Sequence, residues 1–104
     1  MSQFSNVTVI KQANIYDNGK VTSRELLFND GSRKTLGIML PGEYSFTTDK
    51  AELMEILTGE LSVQLAQTTS WQVISAGQSF SVPAQSSFKL RVSLLVDYCC
   101  SYLD

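Results

Sequence analysis

Gly77-Gln78-Ser79-Phe80-Ser81-Val82-Pro83-Ala84-Gln85-Ser86-Ser87-Phe88-Lys89-Leu90-Arg91-Val92 alternates apolar and polar residues in two short runs with a turn between them. In an extended chain Phe80 and Val82 share one face and Ser79 and Ser81 the other. Phe88, Leu90 and Val92 likewise oppose Lys89 and Arg91. A period of two residues is that of a strand with one buried and one wet face. Pro83-Ala84 punctuates the two runs as a turn.

The same grammar extends in both directions. Turn signals recur at Asp17-Asn18-Gly19, Asn29-Asp30-Gly31, Pro41-Gly42, Thr58-Gly59 and Ala76-Gly77. Between them lie segments of strand character: 20–28, 33–40, 62–66, 71–75, 79–82, 88–92 and 94–103. Many short strands at such spacing predict an all-β sandwich or barrel. Ala51-Glu52-Leu53-Met54-Glu55-Ile56-Leu57 has helix-forming composition. It is short, however, and Thr58-Gly59 leads straight into Glu60-Leu61-Ser62-Val63. The stretch therefore reads as the first arm of a hairpin turning at Gly59, with a single helical turn near 49–51 as the alternative.

Composition excludes several function classes. A chain of 104 residues suits one domain, with residues 1–18 reading as an extension and 19–103 as the barrel. A net charge of −2 and scattered cations supply no basic stripe for nucleic acid. No apolar run approaches a membrane span, and Met1 to Ser5 has no signal-peptide character, so a soluble cytoplasmic protein is expected. Cys99 and Cys100 are adjacent and point to opposite faces of a strand, so they read as free, buried thiols of a reducing compartment. There is no histidine. Histidine bases, triads and metal ligands are excluded together.

Two spacings go further. Pro41-Gly42-Glu43-Tyr44-Ser45-Phe46 is followed by Glu52 and, seven positions later, Gly59. Gly77 is followed, five residues intervening, by Pro83, and Phe88 stands five beyond the proline. These segments resemble the two cupin motifs. The histidine pair before the glutamate is absent, Gln85 replaces a second glycine, and Phe88 stands where the second motif carries a histidine. The resemblance implies a cupin-type, jelly-roll-like β-barrel without its metal-binding histidines, so no metal or other cofactor is expected. Gly37-Ile38-Met39, Gly42-Glu43-Tyr44-Ser45-Phe46, Trp71-Gln72-Val73, Ala76-Gly77, Phe80-Ser81-Val82-Pro83 and 98–103 in this order resemble the pyrimidine/purine nucleoside phosphorylase family over nearly the whole domain. That resemblance implies a pentosyltransferase: purine and pyrimidine nucleosides would be cleaved with inorganic phosphate, as co-substrate, to free base and ribose 1-phosphate.

Phosphorolysis needs phosphate held beside the anomeric carbon, an oriented sugar and a stabilised leaving base. Arg33, with its planar fork of donors, is the candidate for phosphate. Glu52, at the cupin glutamate position, faces the interior; it could grip ribose hydroxyls and favour positive charge, or, with its pKa raised by burial, donate a proton to the base. Tyr44, Phe46, Phe80 and Phe88 could form apolar walls on which any nucleobase stacks. Tyr98 and Tyr102 share a face of the last strand and could bring a polar tip to the cavity. Lys89 and Arg91 have the opposite parity to Phe88 and should point away from it, and Trp71 reads as packing or interface. Cupins commonly dimerise, and a small domain gains stability that way, so a homodimer is expected. The rival reading is a non-catalytic cupin that binds a small ligand or serves as an oligomeric interaction module; it predicts an apolar lumen where Arg33 and Glu52 do not converge.

Overall fold

The computed structural model describes residues 2–103, and every regular element except one short turn is a strand. The strands are β1 (Thr8–Val9), β2 (Asn14–Tyr16), β3 (Val21–Leu27), β4 (Arg33–Met39), β5 (Gly42–Thr47), β6 (Ala51–Leu65), β7 (Gln72–Ser75), β8 (Ser79–Val82) and β9 (Ser87–Leu103). All pairings are antiparallel.

The fold is organised by its two long strands. β6 and β9 pair along their lengths, with the register slipping at bulges between Ile56 and Leu61. A bulge bends a strand and increases its local twist. The bent ribbon therefore carries two leaves. On one, β9 from Val96 to Tyr102 pairs with β4, which continues to β3, while β6 from Glu52 to Glu55 pairs with β8. On the other, β9 from Ser87 to Val92 pairs with β5, and β6 from Glu60 to Val63 pairs with β7. The result is a cupin-like, jelly-roll arrangement whose sheet does not close: the path runs β1-β3-β4-β9-β6-β7 with free edges.

The inward-facing positions of the two leaves meet in one core, in which Ile56, Leu61, Val63, Val82, Leu90 and Val96 are almost fully buried. Burying each such side chain contributes about 1.5–3 kcal/mol. The alternation of Phe80/Val82 and Phe88/Leu90/Val92 falls on this inner face as their sequence predicts.

The sequence reading of a hairpin at Gly59 is corrected. Residues 51–65 form one strand, and both of its halves pair with β9 rather than with each other. Gly59 sits at the bend, not at a chain reversal. Its φ is +91°, and a Cβ there would collide with the Leu95 carbonyl oxygen of the paired strand. Likewise 88–92 and 94–103 are parts of the single strand β9, and Gly42–Thr47 is itself a strand.

Residues before Val21 also join the sheet. β1 pairs with Leu26 and Leu27, and β2 pairs with Val21 to Ser23. Phe4 packs edge-on to Phe28 at 5.2 Å, with the Lys34 ammonium 5.3 Å from its ring centroid. The segment after β2 turns sharply on Asp17 and Asn18, both in the left-handed region at φ 52° and 57°.

Replacing Gly59 with alanine should lower unfolding free energy by at least about 2 kcal/mol, because a side chain at positive φ is strained and here also meets backbone. Chemical denaturation followed by tryptophan fluorescence measures this; an unchanged midpoint would mean that the elbow does not depend on the glycine.

Candidate active site

A cavity of about 460 Å³ opens between the two leaves. Its position follows from register. Four rungs of inward residues cross the first leaf: Arg33–Tyr102–Glu52, Thr35–Cys100–Met54, Gly37–Tyr98–Ile56 and Val21–Met39–Val96. Ser23 pairs with Gly37 on the third rung and Tyr16 with Val21 on the fourth. Phe46 and Phe88, cross-strand partners with ring centroids 5.7 Å apart, form the wall from the other leaf.

The first leaf presents a polar wall of Glu52, Cys100, Tyr102, Thr35, Tyr98 and Ser23. Glu52 is partly buried, and desolvation raises its carboxyl pKa; the Cys100 thiol, donating to Oε1 at 3.5 Å, and the charge of Arg33 oppose that rise. Burial and the neighbouring Glu52 charge push the Cys100 thiol up to about 12. The Tyr102 phenol is also pushed up to about 12, chiefly by burial, and is hydrogen-bonded with Thr35 and Cys100. Burial raises the Tyr98 phenol as well; its hydroxyl is bonded with Ser23 and donates to the Thr22 carbonyl at 3.4 Å. Both phenols therefore stay protonated near neutral pH.

Gly37 makes the Tyr98 placement possible. A Cβ at Gly37 would lie 2.7 Å from the Tyr98 ring and hydroxyl and would also meet the Thr22 carbonyl. The phenol lies across the bare backbone, a way of covering a glycine in a sheet.

The sequence candidates divide as follows. Glu52, Phe46, Phe88 and Tyr98 line the cavity. Phe80 backs it, buried and 6.1 Å from Phe88 between ring centroids. Tyr44 is a core residue outside the cavity lining; its hydroxyl donates to the Leu40 carbonyl. Arg33 occupies the Glu52 rung but is not part of the lining. Its guanidinium stacks on the Tyr102 ring at 3.8 Å and pairs with Glu25 at 3.0 Å. Arg91 points away from Phe88 as expected, over the Trp71 ring at 4.0 Å and 3.6 Å from Glu43, beside a second, outer groove. Lys89 borders both hollows. Tyr16, Thr35, Ser23, Cys100 and Met54 also line the cavity, and the sequence reading chose none of them as a site residue. Rung position could have found Thr35 and Cys100, which share parity with Arg33 and Tyr102. Among the described residues no three His, Cys, Asp or Glu side chains gather as a metal-ligand set. Among the described residues that line the cavity, Glu52 and Cys100 are the only such donors, and Phe88 is part of the wall. These residues do not fit a cupin-type transition-metal centre.

Two open leaves carried on a bent ribbon, with the site between them, define a cupin-like protein. A solved cupin of the RmlC type from Shewanella frigidimarina superposes with a TM-score of 0.71 at 21% identity, covering 98% of this chain and 93% of that one. A crystal structure of a protein of unknown function from Acinetobacter sp. ADP1 superposes with a TM-score of 0.94 at 43% identity, covering 97% and 98%. The family model described as pyrimidine/purine nucleoside phosphorylase matches residues 11–102. Proteins of that name from Trichlorobacter lovleyi and Geotalea uraniireducens are 63% and 59% identical over all 104 residues of this chain and the full length of each relative. The chain belongs to the pyrimidine/purine nucleoside phosphorylase family.

The buried thiols provide a test of the site geometry. Cys99 and Cys100 are both free and buried on opposite faces of β9, and burial raises both pKa values. Neither should react with an aromatic disulfide reagent at pH 8 in the native protein, and both should react within minutes in denaturant. Rapid native labelling at Cys100 would contradict the polar wall described above.

Proposed function

We propose that this chain is a nucleoside phosphorylase of broad specificity that converts purine and pyrimidine nucleosides and inorganic phosphate to free base and ribose 1-phosphate. The observation that carries the reading is a family member's cavity with opposed walls: hydroxyls and a carboxylate on one, aromatic rings on the other. The Glu52, Tyr102, Thr35 and Tyr98 side suits a ribose and its phosphate partner. The Phe46 and Phe88 side suits any base, because stacking uses the π-face that all bases share.

In the reaction the C1′–N bond breaks, with its electron pair leaving on the base, and a phosphate oxygen forms the new bond to C1′. The sugar passes through a state with positive character at C1′. The Glu52 carboxylate binds ribose hydroxyls and stabilises that charge; in a partly desolvated site such an interaction is stronger than in water. The departing base takes a proton from solvent or from a hydroxyl of the polar wall. Arg33 lies at the Glu52 end, with one N–H engaged by Glu25 and further donors on its fork; in this reading it holds phosphate at the rim while steadying Tyr102. The leucines exposed around the elbow, among them Leu57, Leu94 and Leu95, suit a contact between two copies, and we propose a homodimer in a reducing, cytoplasmic setting. Sedimentation equilibrium at micromolar concentration should return twice the chain mass, and a single-chain mass would remove the dimer.

Purified protein incubated with uridine, inosine and guanosine should release free base only when phosphate is present, with ribose 1-phosphate as co-product. Absence of release from every nucleoside by folded protein would leave the ligand-binding alternative. Glu52→Ala should lower kcat/KM by roughly 10²–10³-fold, the scale of losing one preorganised charged contact, with the fold retained. Because the ionised carboxylate is the active form and burial raises its pKa, activity should fall as pH drops through a limb lying above the ordinary glutamate range. Arg33→Met removes an interaction that opposes the rise, so the limb should move to higher pH, and KM for phosphate should increase. A limb unmoved by Arg33→Met would separate Arg33 from Glu52.

A further inference from the structure

The aromatic wall does not end at Phe46. Phe80, Phe88, Phe46 and Tyr16 form a continuous row with successive ring centroids at 6.1, 5.7 and 6.3 Å, rising from the core to the cavity mouth. Phe80 and Phe88 are buried, Phe46 is partly buried and Tyr16 is 48% exposed. Tyr16 meets Phe46 edge-on, with an interplanar angle of 81°. It is the one ring of the row that carries a polar tip.

Tyr16 is fixed from both sides. Before it, Asn14 Nδ2 donates to the Ser23 hydroxyl at 3.2 Å, and Ser23 is itself a buried cavity residue bonded with Tyr98. After it, the chain turns through the left-handed Asp17 and Asn18. The Tyr16 rung and the Glu52 rung are at opposite ends of the polar wall, six residues apart along β4, which is about 20 Å of strand. That span exceeds the length of one nucleoside, so Tyr16 is reached along the ring row and not along the polar wall: a base stacked on Phe46 has the Tyr16 ring next to it, 6.3 Å from Phe46 between centroids.

Resting on the nucleoside reading above, we infer that Tyr16 is a base-size-dependent binding residue: the second ring of a purine reaches its face, whereas a pyrimidine is covered by Phe46 and Phe88 alone. Among the described residues the first leaf supplies no other aromatic face on that rung, where Val21 and Met39 are the remaining wall. Broad specificity then comes from a nested wall, the inner rings serving every base and the outer ring adding contact for the larger ones.

The test compares Tyr16→Ala and Tyr16→Phe with the unmodified chain. For each, kcat/KM is measured with inosine, guanosine, uridine and cytidine, and dissociation constants for hypoxanthine and uracil are measured by calorimetry. Loss of one stacking partner corresponds to roughly 5- to 150-fold. Tyr16→Ala should weaken the purine values on that scale and change the pyrimidine values by less than about 3-fold, and Tyr16→Phe should keep the purine values within about 3-fold. Equal losses for both base classes, no loss for either, or a purine loss in Tyr16→Phe as large as in Tyr16→Ala would overturn the inference. Denaturation midpoints of the variants establish that they fold. If the unmodified chain cleaves no nucleoside, the phosphorylase reading fails, and the hypoxanthine and uracil constants still decide the role of Tyr16; no detectable hypoxanthine binding would overturn it too.

Discussion

The β6–β9 ribbon bends between Ile56 and Leu61, and the backbone at Gly59 passes so close to the Leu95 carbonyl that no side chain fits there. The cavity depends on this one approach. Each long strand serves both leaves, so Glu52 and Val63 are on one strand, and Phe88 and Tyr102 on another. Bending the ribbon turns residues that would lie along a single flat face into two opposed walls. A flat ribbon would leave Phe88 and Tyr102 far apart on the same surface, with no enclosed site between them.

The two walls differ chemically because of what the strands bring to them. The polar wall is assembled across β3, β4, β9 and β6, three residues from β9 and one from each of the others, so no single segment contains a recognisable active-site motif. Its members restrain one another: Cys100 donates to Glu52, Tyr102 contacts Thr35, Cys100 and Arg33, and Tyr98 lies over Gly37 and bonds Ser23. Satisfied networks of this kind hold side chains in one arrangement inside a low-dielectric site. Their raised pKa values have a common cause, desolvation, which is also what makes a carboxylate effective against a developing positive charge.

Much of this was legible in the sequence, and the failures have physical reasons. The alternation of Phe80, Val82, Phe88, Leu90 and Val92 placed the inner face correctly because side-chain parity is local. The cupin-like spacings placed Glu52 inside and Phe88 on the wall. Thr58-Gly59 reads as a hairpin because a left-handed glycine serves a reversal and a bulge equally well; the choice is made by β9, whose Leu95 lies far along the chain and is invisible locally. Side-chain chemistry singled out Arg33 and Tyr44, but it does not reveal their partners: Glu25 and Tyr102 occupy the guanidinium, and the Leu40 carbonyl takes the Tyr44 hydroxyl. Tyr16 escaped notice because β2 is three residues long, too short for alternation to announce a strand.

The central claim is that ribose faces the Glu52–Tyr102 wall while the base stacks on Phe46 and Phe88. A crystal structure of this protein with a free base and ribose 1-phosphate bound tests it most directly. The account predicts a base ring against Phe46 and Phe88, with sugar hydroxyls in hydrogen-bond contact with Glu52. Ligand bound instead in the outer groove beside Trp71 and Arg91, with the central cavity empty, would contradict it.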